Sequence, residues 1–310
     1  MKILLKNMQT INRRTFVKTS ALGLLAVSTP ILSNPLPKTK KLTILHTNDL
    51  HSRIEAFPMD GGRYEGMGGA AKRAALIQKV RNEESNVLLF DCGDILQGTP
   101  YFNFYHGELE FKLMNEMGYD AATIGNHDFD AGIEQLASLI DGGRFAMLNA
   151  NYVLQNTPLE EKVMPYKVFV KDGIKVGVFG LGIALNGLVP QALYGETLYQ
   201  EPIAIANETA RKLKEIEKCQ LVICLSHLGY KYESDKVSDV VLAKQSKNID
   251  VILGGHTHTF MEEPDLIENL AGETVVVNQV GWAGIKVGRL DFWFERSKKN
   301  LETNFVMDVR

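Results

Sequence analysis

The strongest constraint on this chain is a pattern that repeats along most of its length: a short apolar run, a polar cluster at its end, then an amphipathic helical stretch. "LTILHTNDLH" reads as a strand entering a loop, and "GGAAKRAALIQKVRNEE" as a helix opened by glycines. "NVLLFDCGD" is the next strand, and "ELEFKLMNEMG" the next helix, ended by Gly118. "YDAATIGNHD" and the helix "AGIEQLASLIDGG" follow, then a hairpin in "KVFVKDGIKVGVFGL" that turns at Asp172 and Gly173. After the helix "ANETARKLKEIEK" come the strands "QLVICLSH" and "IDVILGGHTH"; the tail "TVVVNQ", "KVGRLDFWFE" and "NFVMDV" reads as strands alone. Alternating βα units followed by extra strands predict an α/β fold of stacked sheets with helices outside. With 310 residues, 45% of them hydrophobic, the chain can fill a large core. No repeat, low-complexity segment or linker interrupts it after residue 41, which predicts one domain over 41–310.

The polar clusters share a position. Asp49 and His51, Asp94, Asn126 and His127, His227, and His256 and His258 each lie at the carboxyl end of a predicted strand. In open α/β sheets ligands bind at that end, so loops distant in sequence can converge on one site. Five of the chain's seven histidines fall in this set. Imidazole suits borderline divalent metals and carboxylate harder ones, so the mixed donors admit Mn²⁺, Zn²⁺, Co²⁺ or Fe. The set exceeds one ordinary coordination shell but fits two ions if one carboxylate bridges. Two divalent ions about 3.5–4 Å apart can hold a hydroxide and clamp the attacking and leaving oxygens of a displacement. With two carboxylates and that hydroxide, the site stays about one unit positive, which suits a phosphate anion. The net charge of −3, with no long basic run beyond the N-terminus, excludes nucleic acid as the default partner. An anionic substrate must then be attracted locally.

"DLH", "GDILQG", "GNHD", the lone histidine of "CLSHLG", and "GGHTH" together resemble the motif series of calcineurin-like metallophosphoesterases. "LHTNDLHSR", "YDAATIGNHDFD" and "GDILQGTPYF" are similar to the signatures of the 5′-nucleotidase branch. The resemblance implies an α/β, metallophosphatase-like fold: a four-layer sandwich of two mixed β-sheets flanked by helices. It implies that Asp49, His51 and His258 hold one metal ion, that Asn126, His227 and His256 hold the other, and that Asp94 bridges. His127 matches the position that stabilises charge on the phosphoryl group or assists the leaving oxygen, and Asp130 the carboxylate that orients it. An acid that fixes an imidazole tautomer and supports its cationic form is sound chemistry in its own right. Asp128 is read as a capping or supporting residue, not a ligand. The activity implied is hydrolysis of phosphate esters, foremost nucleoside 5′-monophosphates. The alternatives are a cyclic-nucleotide phosphodiesterase, a nucleotide-sugar diphosphatase, or a non-catalytic exported metal-binding subunit.

The remaining readings concern the ends and the leftovers. Residues 1–40 read as an export signal: Arg13 and Arg14 precede an apolar stretch from Ala21 to Leu32, which is too short, and too interrupted by Pro30, to span a bilayer. This resembles a twin-arginine signal and implies a periplasmic or cell-envelope location. The two-domain members of the branch carry a second domain that supplies the nucleoside pocket. The sequence after residue 258 leaves no room for one, so a separate polypeptide supplying it is an expectation. Cys92, Cys219 and Cys224 lack paired spacing and read as buried thiols. His46 reads as a packed core residue, His106 as structural or surface, and Trp282 and Trp293 as core. Arg53 reads either as a substrate contact or as a surface or salt-bridge residue.

Overall fold

The computed structural model of the protein describes residues 39–295 and 298–310. The predicted export signal lies outside the described residues except for Thr39 and Lys40. The first sheet runs in the order β14-β13-β1-β2-β3-β4: Lys298–Asp308, Lys286–Glu295, Lys40–Thr47, Val87–Asp91, Ala121–Thr123 and Ala146–Leu148. The second runs β11-β12-β10-β9-β7-β6: Asp265–Glu268, Thr274–Asn278, Val251–Gly254, Leu221–Ser226, Ile174–Leu181 and Tyr166–Lys171. In the first sheet β1 to β4 are parallel, and β13 and β14 pair antiparallel at one side; in the second the central strands are parallel and both edge strands antiparallel, so both sheets are mixed. The short strands β5 (Tyr152–Val153) and β8 (Leu198–Tyr199) pair apart from both.

Residue alternation explains the layering. Leu88 and Phe90 of β2 point between the sheets, with Leu42 and Ile44 of β1, Val176 and Val178 of β7, Ile223 of β9 and Val251 of β10. Leu89, one residue out of phase, joins the opposite face and packs on Ile77, Phe111, Met114 and Leu136 from three helices. The second sheet repeats the arrangement, with Val222, Cys224 and Ile252 against Ala206, Ala210, Leu213 and Leu242. Strands buried on both faces must read as continuous apolar runs, as "VLLF" and "LVIC" do. The result is the four-layer α/β sandwich: helices, sheet, sheet, helices.

Local signals behave as read. Asp172 and Gly173 both take the left-handed backbone, at φ 48° and 76°, that a two-residue hairpin turn of this hand requires. Gly118 closes the helix Glu108–Met117 at φ 69°. All three cysteines are free and buried. His46 is wholly buried, bonds Asn278 at 2.9 Å, and is pulled down to about 3 by burial, so it stays neutral in the core. His106 is exposed and caps the helix Pro100–Tyr105. The tail divides in a way the strand pattern did not reveal. β12 extends the second sheet, whereas β13 and β14 return to the first, β13 pairing antiparallel with β1 and β14 with β13. Among the described residues no helix is long and apolar enough to cross a membrane.

Candidate metal centre

Five loops meet at the carboxyl ends of the parallel strands. Those after β1, β2 and β3 bring Asp49 and His51, Asp94, and Asn126 with His127 and Asp130; those after β9 and β10 bring His227, and His256 with His258. The turns are tight, and the functional residues absorb the tightness. Asp49, His51, Asp94, His256 and His258 take left-handed φ values of 51°, 47°, 57°, 73° and 52°. For residues with a Cβ this region is sparsely populated, and it persists only where the surroundings fix it. Here the surroundings are backbone hydrogen bonds between loops: Asp49 N–H to the Gly93 carbonyl at 2.9 Å, His51 N–H to that of Asp94 at 3.0 Å, and Ala283 N–H to that of Asp49 at 2.7 Å.

The side chains form two groups. Asp49, His51 and His258 make one, and Asp94, His227 and His256 the other, with the donor atoms of each group within 4.8 Å of one another. Each group draws from both sheets. Nε2 of His258 is 3.3 Å from Asp49 Oδ1 and 3.0 Å from Nε2 of His51. Asn126 Oδ1 lies 2.9 Å from His256 Nδ1 and joins the second group. Asp94 faces both groups, its Oδ2 being 3.1 Å from His227 Nε2 and 3.9 Å from His51 Nε2.

Tautomers decide whether metal fits. His227 directs Nδ1 at the Cys92 carbonyl at 2.7 Å, and His51 directs Nδ1 at that of Gln97 at 3.2 Å. A carbonyl accepts only from N–H, so in the neutral rings each Nε2 presents a lone pair to the site. Buried His227 Nε2 then aims its lone pair at the Asp94 carboxylate, an arrangement that needs a cation between them. Without metal a proton serves: although burial opposes charge, Asp94 outweighs it and His227 is shifted upward. His256, by contrast, is pulled down to about 4 by burial and then by His227, so it stays neutral and able to ligate. Six ligating groups and a shared carboxylate fit two divalent ions.

Beside the first group, His127 presents its ring edge-on to His51, with centroids 5.3 Å apart. Its Nδ1 is 2.8 Å from Asp130 Oδ2, and this hydrogen bond is the main cause of its upward shift. His127 N–H donates to Asp94 Oδ1 at 2.8 Å, tying the pair to the shared carboxylate. Every site residue singled out from the sequence is therefore in this one place.

The structure adds residues that motif reading did not resolve. Asp128 is buried and accepts from the backbone N–H of Gly125 and Ile95 at 2.8 Å, Asp94 at 3.1 Å and Leu96 at 3.2 Å, clamping the β2 and β3 loops together. Burial and the neighbouring Asp94 charge push it up to about 7. Asn48 donates to Asp49 Oδ2 at 2.5 Å and accepts from Val280 N–H at 3.0 Å. The tryptophans correct the sequence reading. Trp293 is half-buried with the Lys41 amine 5.8 Å from its ring. Trp282, also half-buried, stacks on His258 at 5.7 Å with 7° between planes. A ligand's partner across the fold leaves no local signal in sequence.

The family model for calcineurin-like phosphoesterases matches residues 42–260. The 5′-nucleotidase of Rattus norvegicus is 33% identical over 305 residues, covering 91% of this chain and 51% of its own length. The trifunctional nucleotide phosphoesterase protein YfkN of Bacillus subtilis is 31% identical over 299 residues, covering 85% of this chain and 19% of its own length. Among solved structures, the 5′-nucleotidase precursor of Thermus thermophilus superposes with a TM-score of 0.78 at 30% identity, over 87% of this chain and 54% of that one. The chain thus spans between about a fifth and a half of the length of these relatives.

Proposed function

Because the chain belongs to the calcineurin-like phosphoesterase family, we propose that it hydrolyses phosphate esters with two divalent metal ions, and that its preferred substrates are nucleoside 5′-monophosphates. The observation that carries this reading is the placement of one carboxylate oxygen, Asp94 Oδ2, towards both donor groups. The relatives named 5′-nucleotidase support the substrate class. When bound, the ions supply a nucleophile from water near neutral pH and offset charge on the phosphoryl oxygens.

The chain's own residues do the rest. Asp49, His51 and His258 would hold one ion and Asn126, His227 and His256 the other, with Asp94 facing both groups. Asn126 ligates without adding negative charge, which keeps the site attractive to an anion. His127, half-exposed at the mouth, donates to a phosphoryl or leaving oxygen, and Asp130 fixes its ring and supports its cationic form. The mixed nitrogen and oxygen donors suit Mn²⁺, Zn²⁺, Co²⁺ or Fe²⁺. The same proposal places the protein in the periplasm or cell envelope, on the strength of Arg13, Arg14 and the apolar stretch after them. A second reading, hydrolysis of nucleotide phosphoesters beyond the 5′-monophosphates, is favoured by the relative named a trifunctional nucleotide phosphoesterase.

The test is phosphate release by metal-stripped protein given Mn²⁺, Zn²⁺ or Co²⁺, with AMP, a cyclic nucleotide and a generic aryl phosphate. Metal-dependent turnover highest on AMP is expected. Turnover of the aryl ester with little on AMP would end the 5′-monophosphate assignment, and no turnover on any ester would end the phosphoesterase one. Asp130→Asn is expected to lower kcat about 10- to 100-fold while the bound metal, measured by atomic emission, stays at the wild-type level. Unchanged kcat would remove Asp130 from the mechanism.

A further inference from the structure

The loop that follows His51 runs into a cleft outside the two donor groups. Arg53 is half-buried, and its guanidinium lies 4.0 Å over the ring of Phe57. Among the described residues it makes no ion pair and no side-chain hydrogen bond. It lines a cavity of about 370 Å³ together with Glu55, Thr99, Tyr101, Phe104 and Tyr105. The six-residue helix Pro100–Tyr105 turns Phe102 into the core but leaves Phe104 78% and Tyr105 49% exposed. Tyr101 and Tyr105 hold their rings within 18° of parallel, with centroids 6.5 Å apart. Tyr101 donates to Glu55 at 2.8 Å.

This wall is anchored to the metal loop. Thr99 Oγ1 donates to the Ser52 carbonyl at 2.8 Å, and His51 Nδ1 lies 3.2 Å from the Gln97 carbonyl. Between them Gly98, at φ 119°, packs so closely that a Cβ there would stand 2.9 Å from the His51 carbonyl oxygen. The cleft and His51 therefore keep a fixed spacing, on the same carboxyl-end face of the first sheet. A guanidinium without an ion pair, exposed aromatic faces and one carboxylate acceptor suit a flat ring that carries nitrogen or oxygen acceptors and N–H donors.

We propose that this cleft binds the planar aromatic part of the phosphate ester, so that selectivity for such esters resides partly in this chain. The ring lies against Phe104 and Tyr105, Arg53 donates to a ring nitrogen or oxygen acceptor on it, and Glu55 accepts from an N–H or O–H. The inference rests on the phosphoesterase reading of the metal centre.

The experiment compares AMP, phenyl phosphate and glycerol 3-phosphate with the full chain and Mn²⁺, for wild type, the Phe104→Ala/Tyr105→Ala double variant and Arg53→Met. Both aromatic side chains are exposed, so the melting temperature checks that the double variant remains folded. It should raise KM for AMP and phenyl phosphate by about tenfold and leave glycerol 3-phosphate unchanged. Arg53→Met should raise KM for AMP and spare phenyl phosphate. Equal changes on all three esters would overturn the inference. So would no change, including the case where sedimentation shows altered self-association and the aromatic helix is a protein contact. Wild type inactive on every ester would instead overturn the phosphoesterase reading, and that is seen before any substitution is made.

Discussion

Replacing Asp94 by Asn is expected to lower kcat/KM by about 10³-fold in a protein that folds normally. Asn preserves the shape and the oxygen that accepts from His127 N–H at 2.8 Å. What it removes is the negative charge that faces His227 at 3.1 Å and His51 at 3.9 Å. That charge faces both donor groups, so its loss weakens two ion sites at once. The fold should tolerate the change, because Asp94 is buried close to Asp128, and one acid fewer relieves a repulsion that helps push Asp128 up to about 7. The measurements are kcat/KM at saturating Mn²⁺, bound metal per chain, and circular dichroism. Turnover within tenfold of wild type would mean that Asp94 does not bridge.

Gly125→Ala should lower activity by about 100-fold, although no proposed ligand is altered. A Cβ on Gly125 would stand 2.2 Å from Asp94 Oδ1 and 2.4 Å from Asp94 N. Backbone nitrogen cannot swing aside, and Asp128 already holds the same nitrogen at 3.1 Å. One methyl group must therefore push Asp94 out of register or part the β2 and β3 loops. Overpacking of this kind costs about 1–3 kcal/mol of stability, and displacing a reacting group by about 1 Å costs about 100-fold in rate. Gly142→Ala is the matched control, because a Cβ there meets nothing within 4 Å. Equal activity in the two variants would show that the Asp94 loop is softer than its contacts imply.

The sequence made the centre legible for a physical reason. Metal ligands must be particular residue types, and parallel α/β sheets put them at the carboxyl ends of strands, so both type and place leave a mark. The two-faced burial of the strands was readable too, in runs such as "VLLF". Other features leave no such mark. The return of β13 and β14 to the first sheet depends on which edge is free, a property of the assembled fold. Trp282 read as core because a tryptophan near a Phe-rich end commonly is, yet it stacks on His258 from 24 residues away. Asp128 is an acid among acids in "GNHDFD", and only the tertiary contacts show its four backbone partners. The helix Pro100–Tyr105 is too short for a periodic signal, so its outward aromatic face was missed.

That both donor groups mix residues from the two sheets fixes the order of events as the chain matures. Asp49 and His51 arrive with the first sheet and His258 with the second; Asp94 arrives with the first, His227 and His256 with the second. A half-assembled chain offers neither group complete: His258 is missing from the first until the second sheet docks, and His227 and His256 from the second. On the proposed two-ion reading, both ion sites are completed only when the sheets dock, and each ion would then bolt them together. A ligand that binds only the docked state drains the population of its undocked precursors. On that reading, metal supply thus sets what fraction of chains stands with the inter-sheet core open.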